Sequence, residues 1–195
     1  MSITSNVSGF LSKVSQGVRP NMFEVSIQFP AGAGADDTEI VTYMCKSAAL
    51  PSSNVGVIEV PFRGRTVKIA GDRTFDNWSA TFINDKDFKT RSYFEKWLEQ
   101  INSHQANTAG IIDPTQYGRT VTVKQLEKDD SAGGEVVRSY KLWYAFPTSA
   151  SAIDLAYDSN DQIEEFSIEF QYSYWTVAGA GDSESVAGRS GIAIA

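Results

Sequence analysis

The chain has 195 residues and a formal charge of −7, from 17 Lys and Arg against 24 Asp and Glu. That length lets one domain fold without a metal or disulfide, and the single cysteine, Cys45, leaves no internal disulfide to form, as in proteins folded in a reducing cytoplasm. The acidic balance repels phosphate and anionic lipid, which argues against a conventional DNA-binding module, and no stretch reaches the ~18 apolar residues of a membrane helix.

Residues 1–20 are Ser-rich and read as an amino-terminal arm, with a short helical turn around Phe10 to Val14 and without the basic start and apolar run of a signal peptide. Residues 21–176 carry the folded domain. Phe23, Val25, Ile27 and Phe29 alternate with Glu24, Ser26 and Gln28, which predicts a strand stopped by Pro30. Ala31 to Asp37 is a loop, and Ile40 to Lys46 predicts the partner strand. After the loop Ser47 to Asn54, Val55 to Ile69 predicts two short β runs broken by Pro61 and by Arg63-Gly64-Arg65.

Ala70 to Asn84 packs several signals together. Gly71 and Asp72 predict a tight turn, Asp76 and Asn77 a second bend, and Trp78, Ala80 and Phe82 one face of a strand. A helix follows over about Lys86 to Ile101, because Phe94, Trp97, Leu98 and Ile101 form one stripe. Asn84, Asp85 or Asp87 can cap it, and Asp87 can pair with Arg91.

Thr120 to Leu126 and Glu135 to Phe146 predict strands joined by a glycine-rich tip, and Ile153 to Tyr157 a short one. After a turn at Asp158 to Asp161, Ile163 to Tyr174 predicts one long strand, with Phe166, Ile168, Phe170, Tyr172 and Tyr174 on one face. Residues 177–195 read as a flexible Gly/Ala/Ser-rich tail. The expected fold is mainly β: an antiparallel sandwich or barrel with one packed α-helix.

Chemistry-bearing residues are sparse. His104 is the only histidine and matches no zinc spacing with Cys45, and a Cys45–His104 nucleophile pair competes with the simpler reading of Cys45 as a small buried residue. The acidic pairs Asp36-Asp37, Asp129-Asp130 and Glu164-Glu165 read as solvated charges, since strand neighbours point to opposite faces. Phosphate-binding fingerprints are missing. Arg63, Arg65, Lys68 and Arg73 form the local basic cluster, which offers a nucleic-acid patch as one reading, though charges spread at alternating positions are more often a protein–protein interface or a solvated strand face. An enzyme is therefore not indicated, and no cofactor or metal is called for.

Lys46 to Pro51 (KSAALP), Ala70 to Trp78 (AGDRTFDNW), Asp158 to Phe166 and the terminal Tyr174-Trp175 resemble the tail tube proteins of contractile-tailed bacteriophages over roughly Arg19 to Trp175. The resemblance implies a tube-type β-barrel related in fold to type VI secretion tube proteins. It implies hexameric rings that stack into a hollow tube in the virion tail, assembled in the host cytoplasm. The implied partners are further copies of the chain, the sheath, the tape-measure protein, the baseplate and the tail terminator, with DNA passing through without specific binding and with no membrane anchor. The alternative is the tube of a contractile injection or type VI secretion-like system that carries protein.

Beside that resemblance stand two sets of residues. Leu50, Pro51, Phe62, Arg63, Arg65, Asp72, Arg73 and Asp76 are candidates for contacts between subunits or rings, as apolar anchors and charge pairs. Thr120, Thr122 and Lys124, with Glu165, Ser167, Glu169 and Gln171, are candidates for the lumen or the outer wall. A DNA conduit needs a wall that does not hold phosphate, and small polar and acidic side chains supply one.

Overall fold

The computed structural model describes residues 7–14, 17–34, 38–127, 136–158 and 160–179. In chain order the elements are α1 (Val7–Val14), β1 (Phe23–Ile27), α2 (Thr38–Met44), β2 (Cys45–Ala48), β3 (Asn54–Phe62), β4 (Arg65–Thr74), β5 (Trp78–Ile83) and α3 (Lys89–Ile101). The two-residue strands β6 (Asn102–Ser103) and β7 (Thr108–Ala109) follow, then α4 (Pro114–Tyr117), β8 (Arg119–Leu126), β9 (Val136–Ala150), β10 (Glu165–Gln171) and β11 (Tyr174–Gly179).

Seven strands pair antiparallel in the order β1-β8-β9-β10-β5-β2, with β11 also on β9. The 15-residue β9 serves two layers. Its first half lies between β8 and β11, and its last residues pair with β10. The change comes next to Tyr144, which sits at φ 55, a conformation that turns the strand. One layer is therefore β1-β8-β9-β11, and the other is β9-β10-β5-β2. No ladder joins β1 to β2 among the described residues, so the barrel is open.

The alternating residues meet between the layers. Val25, Ile27, Val121, Val123 and Leu142 come from one layer, and Trp78, Ala80, Phe82, Phe166, Ile168 and Phe170 from the other; all are buried. α3 sets Phe94 and Trp97 into this core, with the Phe94 ring 5.0 Å from Phe82 and 5.3 Å from Phe29. The stripe read from the sequence is thus the face that packs.

Several expectations are corrected. The strand expected over Ile40 to Lys46 is instead the helix α2, followed by β2 from Cys45. Its β-branched residues follow the docking of Val41 into the core, a tertiary contact that outweighs intrinsic preference. No strand forms at Ile153 to Tyr157: Leu155 and Tyr157 are exposed, with nothing to pack on. The long strand expected to end at Tyr174 breaks at Tyr172-Ser173. Tyr174 starts β11 and stacks on Trp143 of the other layer, at 6.2 Å.

β3 runs through Pro61 to Phe62 as one strand, and Gly71 lies inside β4 rather than in a turn. α3 begins at Lys89, where Asp85 accepts the backbone N–H groups of Lys89 (3.1 Å) and Thr90 (2.9 Å). Arg91 pairs with Glu95 at 2.8 Å, not with Asp87. The short helix expected near Phe10 to Val14 is α1. The tip at 128–135, with Asp129 and Asp130, lies outside the described residues, as do Asp36, Asp37 and residues 180–195.

Candidate assembly surfaces

β3 and β4 form a ribbon of their own, apart from the main sheet. Phe62 pairs with Arg65, so the connection is the two residues Arg63 and Gly64, at φ 45 and φ 81. Positive φ at both positions gives the tight turn whose twist suits a hairpin. The ladder places Ile58 opposite Ile69 and Val60 opposite Val67, next to Phe62. Period-two alternation puts these five on one face. They are between 42% and 63% exposed, so the subunit leaves this apolar face uncovered. Pro61, opposite Thr66, sits where both strand edges are open and no donor is missed.

The root of this arm is tied down. Ser52 Oγ and Asn54 Nδ2 both donate to Asp76 Oδ2 at 2.8 Å. The Ser52 carbonyl accepts from Tyr172 Oη (3.2 Å) and Trp175 Nε1 (3.1 Å), and Trp78 Nε1 donates to the Ala49 carbonyl at 2.6 Å. Burial raises the Tyr172 hydroxyl pKa, and the charge of Asp76 adds to it. Near the root a bulge brings β3 and β4 together at Gly56 and Gly71, and a Cβ on Gly71 would stand 3.2 Å from the Gly56 carbonyl oxygen. Gly71 therefore serves a close backbone approach, not the turn its sequence context suggests.

The first candidate set is thus largely brought onto one projecting element. Phe62, Arg63 and Arg65 form its tip, Asp72 and Arg73 lie exposed on β4, and Leu50 and Pro51 precede the root. Asp76 instead clamps the arm within its own subunit. Among the described residues these charged groups form no ion pairs with one another; Lys68 meets Glu59 across the ribbon at 3.5 Å. The apolar row of Ile58, Val60, Val67 and Ile69 escaped the sequence reading. Its signal is a pair of β-rich runs flanking Arg-Gly-Arg, which reads equally well as core.

The second set separates into two faces, one on each layer and turned away from the core. On β8, Lys124 Nζ holds Glu24 of β1 at 2.7 Å, and Thr122 stands opposite Ser26, with Thr120 one step further along. On β10, Glu165 pairs with Lys46, Ser167 bonds Thr81 at 3.2 Å, Glu169 lies opposite Ser79, and Gln171 donates to Asn77.

The nucleophile pair is not assembled. Burial pushes the Cys45 thiol up to about 12, outweighing the opposite influence of the Ser47 backbone, so it is protonated at neutral pH. His104 sits exposed on Glu99. Glu164 accepts from Asn84 Nδ2 at 2.9 Å while Glu165 holds Lys46, so the adjacent carboxylates do not act on one point. No group of three or more metal-ligating side chains occurs among the described residues.

A family model described as phage tail tube protein matches residues 18–178. The tail tube protein gp19 of Enterobacteria phage T4 is 32% identical over 157 residues, covering 80% of this chain and 90% of that protein. The tail tube protein of Serratia phage KSP90 is 28% identical over 173 residues, 88% of this chain and 95% of that protein. In fold, the chain is similar to one from the extended sheath–tube complex of the extracellular contractile injection system PVC. The TM-score is 0.59 at 16% identity, over 90% of this chain and 99% of that one.

Proposed function

This chain belongs to the phage tail tube protein family, and from that premise we propose that it is the repeating subunit of a hollow tail tube, in which six copies close into a ring and rings stack. Its relatives are structural tail tube proteins of bacteriophages, not enzymes. The observation that carries the proposal is the bare apolar face of the β3–β4 arm. An isolated two-stranded ribbon is marginal in water, and an exposed apolar patch on a projecting element calls for a partner.

Contacts between unlike patches close into a ring or run on as a filament, and a tube uses both. The open margins of β1 and β2 are a liability in a lone chain. Pairing or covering by neighbouring copies removes it. The two polar faces suit the two sides of a wall, one toward the lumen and one toward the sheath. In the lumen, side chains such as Glu169 and Gln171 give passing DNA no cationic hold. In the virion the tube meets the sheath outside, the tape-measure protein inside, and the baseplate and terminator at its ends, after assembly in the host cytoplasm.

Negative-stain microscopy of the purified chain, alone and with a baseplate nucleator, tests this. Sixfold rings or tubes are expected, and Val60→Asp with Val67→Asp abolishes them while the monomer stays folded. A wild-type chain that stays monomeric at high concentration with the nucleator present overturns the proposal.

A further inference from the structure

We propose that the tip of the β3–β4 arm of one copy seats in an acidic cleft on a second copy, lined by residues 152–156 and 161–164 and by the adjoining ends of β5 and β10. This contact rests on the tube-subunit reading above. The cleft has a volume of about 830 Å³. Its apolar lining includes Ile153, Leu155 and Ile163; Leu155 is 80% and Ile163 69% exposed. Asp154, Asp161, Glu164 and Glu165 line it as well, against the single ammonium of Lys46, which Glu165 already holds. Among the described residues, Asp154 and Asp161 have no cationic partner.

The arm tip has the opposite character. The Phe62 ring projects with the Arg63 guanidinium 5.4 Å above it, and Arg65 stands across the ladder. Neither arginine makes an ion pair among the described residues. An aromatic flanked by two guanidinium groups suits an apolar floor edged with carboxylates, since Arg and aromatic anchors dominate such contacts. All nine β3 residues are exposed, so the arm does not lie on its own body. At its length it reaches roughly 30 Å from its root, enough to cross to a neighbour. Arm and cleft are different patches, so the contact is heterologous and propagates from copy to copy.

Cysteine pairing tests the contact directly. In a Cys45→Ala background, Arg63→Cys with Leu155→Cys is assembled, oxidised mildly and run on a non-reducing gel. A ladder of linked multimers is expected, while Arg63→Cys with Thr122→Cys stays unlinked. Independently, Arg63→Glu with Arg65→Glu, or Asp154→Arg with Asp161→Arg, raises the concentration needed for assembly at least about tenfold, from two pairs lost and made repulsive. Combining all four changes in one chain restores it. Tubes that form without the ladder, or a fourfold variant that stays as defective as its parents, overturn this contact and leave the tube reading standing. A wild-type chain that never assembles overturns both.

Discussion

Asn54 Nδ2 donates to Asp76 Oδ2 at 2.8 Å, so the first residue of the arm is fastened to the bend that follows its last strand. The same oxygen also takes the Ser52 hydroxyl. One carboxylate thus sets where the ribbon leaves the body.

Asp76→Ala removes both bonds from a charged acceptor. Two such bonds at an exposed root are expected to cost about 1–3 kcal/mol of stability. The larger effect falls on the arm's direction. Urea unfolding gives the first quantity, and hydrogen exchange of β3 and β4 amides reports the second as faster exchange there than in β8. An arm equally protected in both proteins would show that Asp76 does not orient it.

Gly71→Val acts on the ribbon alone. The new Cβ stands 3.2 Å from the Gly56 carbonyl oxygen, so the two strands must give by a few tenths of an ångström, and the branched side chain adds to this. β3 and β4 are forced apart near the root while the seven-stranded sheet keeps its ladders. The expected outcome is a chain with near wild-type thermal unfolding that forms no tubes, checked by calorimetry and microscopy on one preparation. Wild-type tube yield would show that the close approach is dispensable.

How much of this could be read from residues depends on whether one physical cause acted alone. Val121 and Val123 are legible because a strand with one dry face must alternate. α2 is not, because Ile40, Val41 and Thr42 are β-branched and only the seating of Val41 makes them helical. Gly71 misleads because glycine answers two demands, a positive φ and a missing Cβ, and the second holds here. Tyr174 continues the alternation of β10 in sequence, yet it leaves that layer to stack on Trp143. Arg63 and Arg65 are legible as exposed residues because no core accepts them. The exposure of Val60 and Val67 is not, because an apolar face left open has the same alternating pattern as one that packs on a core.

Phe94 is the point where α3 joins the layers. Its ring meets those of Phe29, Phe82, Phe166 and Phe170, and it is fully buried. Phe94→Ala empties that site and is expected to cost about 3–5 kcal/mol. Denaturant unfolding should show the midpoint falling with little change in slope. A loss below about 1 kcal/mol would mean that the surrounding rings close the gap.

Asp85 gives the fold a defined acid sensitivity. Burial alone pushes its carboxyl up from the ordinary 3.8, but the Thr90 and Lys89 N–H groups outweigh this and hold it below that value. A carboxylate whose folded pKa is depressed contributes stability in full above its unfolded value and loses it as pH falls through the folded one. Asp85→Ala is therefore expected to cost about 0.5–2 kcal/mol at pH 7, the usual worth of a helix-start acceptor. That difference should stay constant down to about pH 5 and close as pH drops below 3.8. Paired urea titrations of the two proteins across this range measure it. A gap that closes near neutral pH would place the titrating group elsewhere, and one that persists below the folded value would mean that the carboxylate charge is not what holds the start of α3.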